Sequence, residues 1–235
     1  MARAPPLVIS IEGSIGVGKT TVIDALEHLF QDNERVAVLR EPVEQWEERG
    51  FLAAMYENKL EACAFQHCVL MSLAGSLLKK LHEHDYSLII TERSARGNYH
   101  VFGKANLEDD TIERDVFKFT YDNVMNSFPP DMRQEFIYLK ADTAVAKARM
   151  MARGRDAERN VGDAYLDKIN RLHDEWLAGE VSVTTVYAGT MSKEAVLKEV
   201  KAQLNFAIAD FLEKQTELSP VQKMALIAAI ARLIA

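Results

Sequence analysis

The segment Gly13-Ser14-Ile15-Gly16-Val17-Gly18-Lys19-Thr20 constrains this chain more than any other feature, because it satisfies the phosphate-binding pattern G-x-x-x-x-G-K-[ST] in full. Glycines at these positions let successive backbone N–H groups converge on phosphate oxygens at a helix N-terminus. Lys19 then reaches the β- and γ-phosphates, the Thr20 hydroxyl meets Mg²⁺, and Thr21 follows beside the phosphates at the helix start. The flanks supply the context that such a loop needs. Leu7–Ile11 reads as a short buried strand, and the spacing of Val22, Leu26 and Leu29 predicts a helix from Lys19 onward. A loop of this kind fixes the nucleotide and leaves the acceptor open.

The remaining sequence alternates strand and helix. Val36–Leu39, Ser87–Thr91 and Phe136–Leu139 read as strands, with a β-like stretch at Val181–Tyr187. Helical patterns cover about Leu60 to His84, roughly twenty residues before Pro129-Pro130, then Ala144–Ala152, Tyr165–Leu177 and Glu194–Leu212. This order predicts an α/β fold with a mostly parallel central sheet flanked by helices. Such sheets bind ligands outside the carboxyl ends of their strands. The polar motifs after Ile11, Leu39 and Thr91 therefore gather on one edge: the glycine-rich loop, Glu41-Pro42 and Glu92-Arg93-Ser94.

Composition narrows the function classes. The chain has 235 residues, 48% hydrophobic and 27% charged, which excludes a disordered, collagenous or coiled-coil protein. One domain over residues 1–212 is expected, with a C-terminal helical extension over 213–235 in which Ser219-Pro220 is a good helix start. A net charge of −7 argues against a nucleic-acid-coating role. The longest apolar run, Met224–Ala231, is short for a membrane span. Cys63 and Cys68 form no metal-ligand pattern, no signal peptide is visible, and a cytoplasmic location is the simple expectation.

From about Leu7 to Leu177 the chain resembles the deoxyribonucleoside kinase family, which includes deoxycytidine, deoxyguanosine and mitochondrial thymidine kinases and the insect multisubstrate kinase. The likeness is carried in order by the glycine-rich loop, Glu41-Pro-Val-Glu-Gln-Trp46, Met55-Tyr56 and Ala64-Phe-Gln66. It continues through Glu92-Arg-Ser94, Arg149-x₃-Arg153-Gly-Arg155 and Tyr165-Leu166…His173-Asp-Glu-Trp176-Leu177. The resemblance implies a P-loop kinase fold with an arginine-rich lid, ATP as phosphoryl donor with Mg²⁺, and a homodimer packed through long helices.

It also implies roles. Glu41 is the general base toward a nucleoside 5′-hydroxyl, and Arg93 pairs with it near the attack point. Glu92, after a buried strand, holds Mg²⁺ with Thr20. Arg149, Arg153 and Arg155 close over ATP. Gln66 reads the base edge, Phe102 stacks on the base, Trp46 walls the pocket, and Tyr56 with Glu158 takes the 3′-hydroxyl. Cytidine- and purine-preferring relatives carry an arginine where this chain has Leu73 and an aspartate where it has Asn98. Val69 and Leu73 instead give an apolar lining suited to a thymine methyl, so pyrimidines, and thymidine among them, are the expected substrates. Asn98 matches neither pattern. Two alternatives stay open at this point: a monophosphate (thymidylate) kinase, which shares loop and lid, and a non-catalytic nucleotide-binding subunit.

Overall fold

A central sheet sets the position of everything that follows. Its strands are β1 (Leu7–Gly13), β2 (Val36–Leu39), β3 (Leu88–Glu92), β4 (Gln134–Lys140) and β5 (Val183–Tyr187). They lie in the spatial order β2-β3-β1-β4-β5 and every pairing is parallel. The computed structural model describes residues 5–57, 59–83, 85–107, 111–215 and 217–234. β1 is buried at every position, as expected of a central parallel strand covered on both faces.

The two faces of β1 separate by the period of two along the strand. Leu7, Ile9 and Ile11 pack on one side against α1 (Lys19–Phe30), α10 (Lys193–Lys214) and α11 (Pro220–Ile234). Val8, with Ile89 of β3, faces the opposite layer, where α4 (Ala62–Glu83) supplies Leu70, Ala74 and Leu77, and α7 (Thr111–Met125) supplies Phe117. Phe136 and Tyr138 of β4 meet Ile169, Leu172 and Trp176 of α9 (Asp163–Leu177). In register, Ile11 lies beside Glu92 and Gly13 beside Leu139. β3 ends opposite Ile11, two residues before the end of β1 at Gly13, and the polar segments after β1, β2 and β3 share one edge of the sheet, as the strand order required.

Several elements are not legible in the sequence. Two short helices, α2 (Val43–Glu48) and α3 (Phe51–Tyr56), follow Glu41-Pro42. After β3 a continuous helical path runs through α5 (Ala95–Gly97), a π-helical stretch Asn98–Gly103 and α6 (Lys104–Asn106). The helix before the Pro129-Pro130 pair is the 15-residue α7. His84, expected to close the long helix, and Ala235 lie outside the described residues. α4 has the length and mean hydropathy, 1.2, of a membrane span, yet its apolar side chains pack against the sheet and α7.

The C-terminal segment is part of the main core. α10 continues past residue 212 to Lys214, and α11 folds back to place Leu226, Ala229 and Leu233 in the cluster that holds Leu7, Ile9 and Ile11. Arg232 Nη1 of α11 donates to the Leu29 carbonyl at 3.0 Å.

Candidate active site

The glycine-rich loop takes its shape from close backbone approach. Gly16 has φ +78, and a Cβ there would lie 2.2 Å from the carbonyl oxygen of Ala146 in α8 (Thr143–Arg153), so only glycine fits. Gly18, at φ +113, is the N-cap of α1, and its free side looks into open space, where a phosphate oxygen can approach. Lys19 is buried, with Nζ donating to the carbonyls of Gly13 at 3.0 Å and Ser14 at 2.7 Å. Burial pulls its ammonium down to about 7, the Arg93 charge adds to this, and the Glu41, Glu92 and Glu12 carboxylates oppose it.

Thr20 Oγ1 donates to Glu92 Oε1 at 2.7 Å. The Ile11–Glu92 register places that carboxylate at the loop mouth. Among the described residues no group of three His, Cys, Asp or Glu side chains could hold a metal. One hydroxyl and one carboxylate nevertheless fit Mg²⁺, which takes few protein oxygens and completes its shell with phosphates and water.

Beside this pair stands Glu41, whose Oε2 accepts from Arg93 Nε at 3.0 Å. Arg93 also donates from Nη1 to the Gly13 carbonyl at 2.9 Å, and its guanidinium lies 4.4 Å from the Phe102 ring centroid. Burial works against the Arg93 charge, but the carboxylates of Glu41, Glu12 and Glu92 together hold its pKa up. Arg93 has φ 64, which makes it the only non-glycine residue with positive φ among the described residues. Two backbone-directed bonds fix it there. Its N–H donates to the Ile11 carbonyl at 3.0 Å, and its carbonyl accepts from Thr91 Oγ1 at 2.7 Å.

The three arginines reach the same cleft but not as one cluster. Arg149 holds the loop, donating to the Val17 and Ala188 carbonyls at 3.0 Å each. Arg153 and Arg155 both grip the buried Glu158, and Arg155 also pairs with Glu47 at 2.7 Å. Glu158 therefore sits under two cations in this structure, with Tyr56 beside it in the cleft wall.

The outer half of the cleft, about 830 Å³ in all, is walled by Trp46, Tyr56, Gln66, Val69, Asn98 and Phe102. Trp46 packs edge-on to Phe65 at 5.8 Å and donates from Nε1 to Ser72 Oγ at 3.2 Å. Gln66 Oε1 accepts from Asn98 Nδ2 at 2.7 Å, and the other Asn98 amide atom, Oδ1, is buried without a partner. Leu73 lies one turn beyond Val69 in the same apolar cluster and lines a smaller adjoining cavity together with Leu39 and Ala74.

Sequence reasoning missed Tyr165, which lines the cleft, Glu47, which holds Arg155, and Glu12, a fully buried carboxylate in β1. For Glu12 a signal existed: a lone acidic residue closing an apolar strand. Glu47 lies on a helix surface where acidic residues are ordinary, and Tyr165 packs against two apolar clusters, where an aromatic reads as core.

A glycine-rich loop seating phosphates at one end of a cleft that opens on a carboxylate and aromatic walls defines a P-loop phosphotransferase with a small acceptor. Family comparison takes this further: the deoxynucleoside kinase model matches residues 9–213, and the chain belongs to that family. A probable deoxycytidine kinase of fowlpox virus is 30% identical over 175 residues, covering 72% of this chain and 71% of the relative. Human deoxycytidine kinase is 28% identical over 196 residues, covering 72% of this chain and 74% of the relative. A putative kinase of invertebrate iridescent virus 6 is 28% identical over 201 residues, with 84% of this chain and 96% of the relative covered. The chain is accordingly an enzyme of the deoxyribonucleoside kinase class.

Proposed function

We propose that this enzyme transfers the γ-phosphoryl group of ATP to the 5′-hydroxyl of a pyrimidine deoxyribonucleoside, with thymidine preferred. The observation that carries the reading is the Glu41–Arg93 pair at 3.0 Å, set between the phosphate loop and the aromatic half of one cleft. A neutral hydroxyl acceptor needs a base, and Glu41 is the carboxylate facing the space where it would sit. Arg93 orients that carboxylate and neutralises charge at the attacking oxygen. Lys19 moves from the Gly13 and Ser14 carbonyls to the β- and γ-phosphates, with the backbone of Gly13 through Thr21 cradling them.

Thr20 and Glu92 hold Mg²⁺, which supplies charge neutralisation on the phosphates. Arg149 braces the loop from behind. Arg153 and Arg155 exchange Glu158 for phosphate oxygens as ATP enters, and the freed Glu158 accepts the sugar 3′-hydroxyl beside Tyr56. Phe102 stacks on the base, Trp46 closes the far wall, and Gln66 reads the base edge.

For base choice, Val69 gives an apolar wall, and Leu73 and Asn98 put no charge behind it. A second reading, deoxycytidine, has an observation of its own. The buried, unpartnered Asn98 Oδ1 is an acceptor that an exocyclic amine would satisfy, and the fowlpox virus and human relatives are named deoxycytidine kinases. Measuring kcat/KM for thymidine, deoxycytidine, deoxyadenosine and deoxyguanosine decides between them. Thymidine ranking first supports the apolar-wall argument, and deoxycytidine ranking first replaces it. In Leu73→Arg/Asn98→Asp, a guanidinium with a carboxylate partner enters behind the base, and the preference should move away from thymidine by roughly 10- to 100-fold.

A homodimer completes the proposal. Ile112, Val116 and Phe119 form an exposed apolar stripe at helical spacing on α7, and Met71 is exposed on the adjacent α4. Residues 213–235 act as a structural extension of the kinase domain, and the protein works in the cytoplasm.

A further inference from the structure

We propose that Glu12 is a positioning residue for phosphoryl transfer: its carboxylate, bonded by Ser94, fixes the turn that presents Arg93. This rests on the reading that Arg93 acts at the acceptor hydroxyl.

Glu12 lies in β1 directly before the loop and is 0% exposed. Nothing in the packing of a central strand calls for an acid there, since a branched apolar side chain would bury at no electrostatic cost. Its contacts show what the acid does. Oε1 accepts from Ser94 Oγ at 2.6 Å, and Oε2 has no hydrogen-bond partner. Ser94 Oγ in turn accepts from the Gly97 N–H at 2.9 Å, so one hydroxyl joins β1 to the first turn of α5. The seat is tight. A Cβ on Gly97 would lie 2.6 and 2.7 Å from the two carboxylate oxygens.

Ser94 directly follows Arg93, whose left-handed conformation is unfavourable for an arginine and persists only where the surroundings over-determine it. The bonds from Ile11 and Thr91 fix the N–H and carbonyl of Arg93 itself. The Glu12–Ser94 bond fixes where the chain goes next, and so closes the turn from its far side. Glu12 touches no substrate position. It acts on the reaction through the placement of Arg93, and hence of Glu41. Burial pushes the Glu12 carboxyl up to about 7 despite the nearby Arg93 charge, the Ser94 bond and Lys19. What the turn uses is one acceptor oxygen toward Ser94 Oγ, which a carboxamide also offers. Glutamine should therefore replace it, while alanine should not.

The test compares kcat, nucleoside KM and ATP binding in Glu12→Gln, Glu12→Ala, Ser94→Ala, Gly97→Ala and Glu12→Ala/Ser94→Ala, with Arg93→Ala as reference. Glu12→Ala and Ser94→Ala should each lower kcat by about 10- to 100-fold while ATP binding holds, because a small displacement of an oriented group acts mainly on the transition state. The double variant should be no worse than the poorer single one, since both break the same bond. Glu12→Gln should stay within about threefold of the parent, as its amide oxygen still accepts from Ser94. Gly97→Ala changes a helical glycine with φ −61 to a better helix former, yet it should lose kcat because its methyl displaces the carboxylate. If Glu12→Ala does not fold, Ser94→Ala and Gly97→Ala carry the test alone. Parental kcat in both of those variants overturns the proposal, as does a Glu12→Gln variant as impaired as Glu12→Ala. Parental turnover in Arg93→Ala instead removes the role of Arg93 on which the proposal rests.

Discussion

Replacing Glu41 by glutamine keeps the size of the side chain and one acceptor for Arg93 Nε, and removes the group that takes the proton. Two effects follow from the geometry, and they can be measured separately. The first is chemical. A carboxylate within hydrogen-bond reach of the attacking oxygen contributes about 10²–10⁴ in rate, so kcat should fall by about 10²-fold or more, equivalent to roughly 2.7 kcal/mol of transition-state stabilisation. The second is structural. The Glu41 and Arg93 side chains are 15% and 6% exposed, so the amide leaves a buried guanidinium facing a neutral partner. Truncating a buried pair costs about 3–5 kcal/mol. Here the loss should be smaller, about 1–3 kcal/mol, because the amide oxygen still accepts and the Gly13 carbonyl remains bonded to Nη1. At about 2–4 °C per kcal/mol, Tm should drop by roughly 2–12 °C. The assay is coupled ADP release under saturating ATP and nucleoside, run well below the lowered Tm, with nucleoside KM from the same curves. The expected pattern is a large fall in kcat with a much smaller change in KM. Parental turnover from a folded Glu41→Gln enzyme would show that another group takes the proton, and the base assignment would fail.

Other consequences are open to direct measurement. With Lys19 held down to about 7 in the free protein, the triphosphate should restore its charge, so ATP binding at about pH 8 should take up a proton and weaken as pH rises above 7. Calorimetry in buffers of different ionisation heat reads the uptake, and Lys19→Ala should abolish both the uptake and phosphorylation; unchanged uptake in that variant contradicts the assignment. Deleting residues 219–235 removes Leu226 and Leu233, both buried at 4% exposure or less, and should cost roughly 3–6 kcal/mol at about 1.5–3 kcal/mol per leucine. A truncated chain with parental Tm would mean that α11 is not part of the core. Phe119→Asp, on the exposed α7 stripe, should convert a dimer to monomer in sedimentation, and a parent chain that already sediments as monomer rejects the homodimer.

What the sequence by itself determined were the features governed by local chemistry. The glycine-rich loop was legible because its backbone geometry tolerates few residues, and Gly16 against the Ala146 carbonyl shows why. The strands were legible because a doubly covered parallel sheet demands unbroken apolar runs, and their order placed Glu41 and Glu92-Arg93 on the edge that carries the loop. The resemblance then supplied roles for residues that periodicity alone leaves mute, Gln66 and Phe102 among them. Only the tertiary structure decided matters that depend on which side chains face one another across long separations in the chain. It placed Leu73 on the lining of a smaller adjoining cavity, although that residue shares one apolar cluster with Val69 a helical turn away, a distinction that spacing along α4 does not make. It tied Arg153 and Arg155 to Glu158, and it seated α11 on the central core, since apolar residues at helical spacing do not say which surface they cover. It also turned Glu12 from an acid at a strand end into the anchor of Ser94, 82 residues away, a partnership that parallel pairing of β1 and β3 creates and no local pattern announces.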